Sequence, residues 1–204
     1  MCYSTSIDKE VKDLEIHFKR KLKQERLFVK MDTNLGFIHN FTPILSNDES
    51  QFITMAQWGL LPTWAKDRSF QANTLNARIE TLTEKPTFKP YLNNRCLIIA
   101  DGFYEWQWLD SKGKNKQKYC ITIPNKEIFT FAGLYADRFD TATNETYRTY
   151  TIVTNEANEL MAQIHNTKKR MPIILPPEYE SHWLGNGKLD DFINIETELI
   201  ATKC

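Results

Sequence analysis

Apolar residues recur at Val11, Leu14, Phe18 and Leu22, a helical spacing that predicts a helix over residues 8–24. From residue 51 the pattern changes to strands. Residues 51–58 read as β, and the unbroken apolar run RCLIIA (95–100) reads as a buried strand. Asp101–Gly102 is a turn signal, and residues 103–109 form the next strand, ending at a polar hairpin tip over residues 110–116. Further strands are predicted at 118–123, 128–134 and 147–153, and a short one at 171–175. Helices are predicted at 155–164, with Leu160, Met161 and Ile164 inward, and from Pro176–Pro177 through Trp183 to a stop at Gly185. Strands dominate the middle and helices sit at the edges. This predicts an α+β fold, a single domain over residues 1–204 with a mostly antiparallel, barrel-like β core flanked by helices.

Composition narrows the function classes. Lys+Arg and Asp+Glu are both 26, so the chain is formally neutral and does not coat nucleic acid by bulk charge. A local basic patch on a few phosphates remains open. The stretch MCYSTSIDKEVKDLE is polar, so no signal peptide is expected, and no apolar run approaches membrane-span length. The 4 cysteines, Cys2, Cys96, Cys120 and Cys204, form no Cys-x-x-Cys pair and have no neighbouring His, so no metal site is predicted. Free thiols, a cytoplasmic location and a monomer are expected.

Five pieces carry candidate chemistry. Removal of Met1 exposes Cys2 as an N-terminal residue, with an α-amine and a β-thiol on adjacent carbons. The amine condenses with an aldehyde to an imine, and the thiol then closes a thiazolidine. An amine titrating near ~7.7–8.0 and a thiol near ~8.5 both have reactive fractions at neutral pH. In GFYEWQW (102–108), alternation puts Tyr104, Trp106 and Trp108 on one face and Phe103, Glu105 and Gln107 on the other. A carboxylate there is costly to bury and has a raised pKa when buried, which suits proton transfer. His165, after a helix, is an acid or base near neutrality. Asn76 and Arg78, in NARIE (76–80), offer a polar anchor and a phosphate grip. Trp64, in WGLLPTW (58–64), offers a stacking face. Each alone has an ordinary structural reading as a cap, a core residue or a solvated side chain.

In order along the chain, Met1–Cys2, WGLLPTW (58–64), NARIET (76–81), RCLIIADGFYEW (95–106), FAGLY (131–135) and IHNTKKRMP (164–172) resemble the SRAP family, the SOS response-associated peptidases or abasic-site-processing proteins. The resemblance spans residues 2 to about 175. It implies the family's compact fold and a covalent cross-link to abasic sites in single-stranded DNA, without a cofactor. It puts the nucleophile at Cys2, the active-site Asn at Asn76, and the catalytic Glu and His at Glu105 and His165. Arg78 falls on a DNA-backbone contact, and Trp64 and Pro43 on the loop near the DNA; Arg170 and Lys168 extend the phosphate patch. The family also implies AP lyase activity and self-removal of Met1, and nucleoid association when bound to DNA. Two departures stand out. Tyr3–Ser4 replaces the family's Gly-Arg after Cys2, and Asn166–Thr167–Lys168–Lys169 separates His165 from Arg170. The longer loop is expected to be looser around His165. Two rival readings are a thiol autopeptidase and a non-covalent reader of modified bases.

Overall fold

The run RCLIIA is buried at every position, and a strand buried on both faces must sit at the centre of a sheet. The structure, a computed structural model, describes residues 2–140 and 144–204. Its strands are β1 (Ser4–Ile7), β2 (Lys21–Leu22), β3 (Met31–Leu35), β4 (Phe41–Ser46), β5 (Phe52–Trp58), β6 (Asn76–Arg78) and β7 (Arg95–Ala100). They continue as β8 (Gly102–Trp108), β9 (Lys116–Thr122), β10 (Phe129–Asp140), β11 (Glu145–Glu156), β12 (Arg170–Pro172), β13 (Ile174–Leu175) and β14 (Ile200–Lys203). The helices are α1 (Val11–Phe18), α2 (Glu159–Ile164) and α3 (Pro177–Leu184).

Strands β11, β10, β7, β4 and β5 follow one another in antiparallel pairs, and a parallel β5–β11 pair closes them into a barrel. A second sheet, in the order β14-β9-β8-β1-β3, carries the N-terminal strand between β8 and β3. The α+β expectation with a mostly antiparallel, barrel-like core therefore holds. Inside the barrel Trp58, Cys96, Ile98, Tyr150 and Ile152 pack in one cluster, and Cys2 is part of it. Burial of each large apolar side chain stabilises the fold by ~1.5–3 kcal/mol.

Three elements differ from the sequence reading. The first helix ends at Phe18, where Lys19 turns left-handed (φ 53°); Leu22, the last residue of the helical stripe, is buried from the parallel strand β2 instead. Residues 155 and 156 belong to β11, and the helix begins only after the Asn158 cap, whose side chain accepts from the Met161 N–H. β10 and β11 run on to Asp140 and from Glu145, because their paired register continues through polar residues beyond the apolar run. No helix among the described residues is long and apolar enough to cross a membrane.

Candidate active site

The antiparallel register Thr5–Phe103, continued toward the N-terminus, carries Cys2 and Tyr3 alongside Glu105 on β8. Alternation along β8 turns Phe103 and Glu105 inward, with exposures of 0% and 4%. Gly102 permits the close β1–β8 approach, because a Cβ there would meet Ser6 Oγ at 2.7 Å. Cys2 is fully buried, and its thiol points to the Ser4 carbonyl at 3.6 Å. Burial, and then the Glu105 charge, push the thiol well above its ordinary pKa. Burial and the Glu105 charge therefore both favour the neutral thiol over the thiolate. Burial likewise pushes Glu105 up to about 7, against the Trp106 backbone N–H that favours its charged form.

Asn76 holds the other side of Cys2. Its Nδ2 donates to the Cys2 carbonyl at 2.7 Å, and its Oδ1 has no hydrogen-bond partner among the described residues. β6 owes its position to parallel pairing with β11, Ile152 opposite Asn76, and to buried Trp58, whose indole N–H donates to the Leu75 carbonyl at 2.8 Å. The turn after Trp58 needs Gly59: φ is +104°, and a Cβ would meet the Gln71 carbonyl oxygen at 2.7 Å.

His165 closes α2. Its Nδ1 lies 2.8 Å from the Arg170 carbonyl oxygen and 3.2 Å from the Arg170 backbone nitrogen; the shorter contact assigns Nδ1 as the donor, which makes Nε2 the acceptor nitrogen of the neutral ring. Burial, joined by the Lys168 charge, lowers its pKa; the Arg170 carbonyl opposes this. The loop is not loose. Lys169 N–H donates to the His165 carbonyl at 2.9 Å, and Asn166 bonds the Trp108 backbone in both directions, accepting at 3.1 Å and donating at 2.8 Å. The Asn166 side chain thus fastens the turn to the end of β8 rather than leaving His165 on a free loop.

The remaining expected contacts are scattered. Arg78 and Lys168 are exposed. Trp64 is 54% exposed, edge-on to Phe70 at 5.0 Å, in a loop whose carbonyls of Pro62, Thr63 and Ala65 accept from Arg138. Pro43 does not lie in a loop: it is buried within β4 opposite Met55, just before the first β7 pair, Ile44–Ile98. Arg170 is buried too. Its guanidinium grips Glu80 bidentately at 2.6 and 2.9 Å and donates to the Thr154 carbonyl at 2.7 Å, so it is committed inside the fold rather than offered to phosphate.

The profile described as SOS response associated peptidase (SRAP) matches residues 1–200. The chain belongs to the SRAP family. Abasic site processing protein YoqW of Bacillus subtilis is 40% identical over 158 residues, covering 77% of this chain and 68% of that protein. Abasic site processing protein HMCES of Mus musculus is 32% identical over 174 residues, covering 71% of this chain and 48% of that protein, so this SRAP chain matches about half the length of that relative. The crystal structure of a Bacteroides thetaiotaomicron protein superposes with a TM-score of 0.87 at 28% identity, covering 99% of this chain and 91% of that one.

Two residues of this SRAP chain that the sequence reading left without a role are Glu80 and Asn166. Glu80 lies inside NARIE, and its spacing from Asn76 and Arg78 gives no hint of a partner 90 residues away at Arg170. Burial opposes ionisation of Glu80, but the Arg170 hydrogen bonds and charge outweigh it and lower its pKa. The pair therefore stabilises the fold above the ordinary carboxylate range, and that contribution is lost as pH falls through Glu80's depressed pKa. Glu80→Gln is expected to cost about 1–3 kcal/mol at neutral pH, less than a fully buried pair because the Glu80 side chain is 37% exposed. Thermal melts of both proteins at neutral pH and at about pH 3 check this; the gap should narrow in acid.

Proposed function

We propose that this protein processes abasic sites in single-stranded DNA by bonding covalently to their aldehyde through Cys2, after Met1 is removed. The observation that carries the reading is the grip on Cys2: its carbonyl held by Asn76 at 2.7 Å, its side chain beside a buried Glu105 with a pKa near neutrality. The names of the relatives YoqW and HMCES, both abasic site processing proteins, support the substrate.

The lesion's cyclic sugar opens first. Neutral His165 takes the anomeric hydroxyl proton at Nε2 as the ring C–O bond breaks, then returns that proton to the departing ring oxygen. The Cys2 amine attacks C1′, and Glu105 accepts the proton that the attacking nitrogen sheds. Protonated Glu105 returns that proton to the carbinolamine hydroxyl, which leaves as water and gives an iminium, with Glu105 again a carboxylate. The thiol adds to the iminium carbon, a C–S bond forms, and the thiol proton passes to the Glu105 carboxylate. A neutral thiol suits this order, amine first and sulfur second, better than it suits a thiol peptidase, which needs the thiolate at the outset. The Asn76 Oδ1 acceptor suits a sugar hydroxyl. β-Elimination from the iminium is an accompanying lyase route.

Incubation with abasic single-stranded DNA should give an adduct that survives denaturing electrophoresis; undamaged DNA should give none. Equal adduct with both strands would reject the aldehyde as the target. Exposed Arg78 lies two residues beyond Asn76 on the same short strand, β6, and is assigned a phosphate contact. Arg78→Ala should weaken binding and flatten the salt dependence by about 0.7 in log–log slope, the share of one single-strand phosphate; an unchanged slope removes Arg78 from the interface.

A further inference from the structure

The strand that turns Glu105 inward turns Tyr104, Trp106 and Trp108 outward, onto a sheet face the mechanism does not use. Pairing sets Lys118 opposite Trp106 and Lys116 opposite Trp108. Lys118 Nζ lies 4.0 Å from the Tyr104 ring centre and 5.8 Å from that of Trp106, and Lys116 Nζ lies 5.1 Å from that of Trp108. The hairpin tip adds Lys112 and Lys114, both exposed, so a lysine stands at every second position from 112 to 118. The one acid at the tip, Asp110, is turned onto the backbone, accepting the N–H groups of Lys112 at 2.8 Å and Asn115 at 2.6 Å. Asp32, whose carbonyl accepts the Tyr104 hydroxyl at 2.8 Å, lies at the far end of the aromatic row from the lysine-rich tip.

The turn that follows His165 meets the end of the strand carrying this face. Asn166 ties the His165 loop to the Trp108 backbone, which sets exposed Lys168 and Lys169 beside the end of β8. Basic side chains therefore run from His165 to the aromatic row, on a chain whose net charge is zero.

We infer that the outer face of the β8–β9 hairpin is a second binding surface for single-stranded nucleic acid, taking the strand as it runs out of the site. Aromatic faces accept bases of any sequence and interleaved lysines take the phosphates. The lysines now over the rings would swing to phosphate as bases stack. The inference rests on the proposed DNA substrate but not on the covalent chemistry.

The test uses full-length Cys2→Ala protein and undamaged oligonucleotides, so failure of cross-linking leaves it intact. Fluorescence anisotropy compares it with the same protein carrying K116E and K118E, on strands of ~5 and ~16 nucleotides, within the range one compact surface covers. Affinity for the longer strand should fall by about tenfold or more at low salt, and its log–log salt slope should flatten by about 1.4, the share of two single-strand phosphates. The short strand should bind alike to both proteins. An unchanged affinity and slope on the longer strand would overturn the inference. So would an equal loss on both strands, which is general electrostatics.

Discussion

Cys2→Ser is expected to reduce the denaturant-stable adduct with abasic DNA to background, while borohydride still traps the imine. Serine keeps the amine and the shape but supplies a hydroxyl in place of sulfur. The five-membered ring it would close is an oxazolidine, which reopens in water. The variant should stay folded, because the Ser4 carbonyl that faces the thiol at 3.6 Å can accept from the hydroxyl. Without that bond, a hydroxyl in the apolar cluster around Cys2 would cost ~1–3 kcal/mol, so a thermal melt accompanies the assay. Adduct at wild-type levels without reductant would exclude the thiazolidine.

Glu105→Gln is expected to have the second-largest effect, on rate and on stability with opposite signs. Loss of a general base typically costs ~10²–10⁴-fold, and cross-link formation should slow by that order. The wild-type rate should climb as pH rises through about 7, where Glu105 ionises, and the variant should lack that limb. Stability behaves otherwise. Glu105's folded pKa lies above its ordinary value, so the folded state holds the proton more tightly. Wild-type stability is therefore full in acid and declines as pH climbs through about 7. The loss is on the order of 3 kcal/mol, and Gln escapes it. The variant should be the more stable protein at pH ~8 and near parity at pH ~4.5. A wild type that is more stable at the higher pH would mean that Glu105 is ionised and well satisfied, and not a base near neutrality.

How much of this was legible in the sequence depended on the range of the interaction. Strands β7 and β8 follow from local signals, an apolar run and an alternation broken by Asp101–Gly102, and the structure places them within a residue of the reading. The inward face of Glu105 follows from the same period of two. β1 escaped, because Ser4–Ile7 is short and polar and is buried only by the sheets around it. Pro43 and Arg170 show the other limit. A motif position fixes residue type but not surroundings, and burial in β4 or an ion pair to Glu80 is decided by tertiary contacts. The His165 loop looked free for the same reason; Asn166 can bond Trp108 only after α2 has docked.

The most direct test of the central claim is mass spectrometry of wild-type protein after reaction with an abasic oligonucleotide under denaturing conditions, followed by peptide mapping. The expected adduct is the sum of the protein lacking Met1 and the oligonucleotide, less water, with the DNA on residue 2 and the Cys2 thiol no longer open to alkylation. An adduct that retains Met1, maps to a lysine, or leaves Cys2 alkylatable would contradict the account.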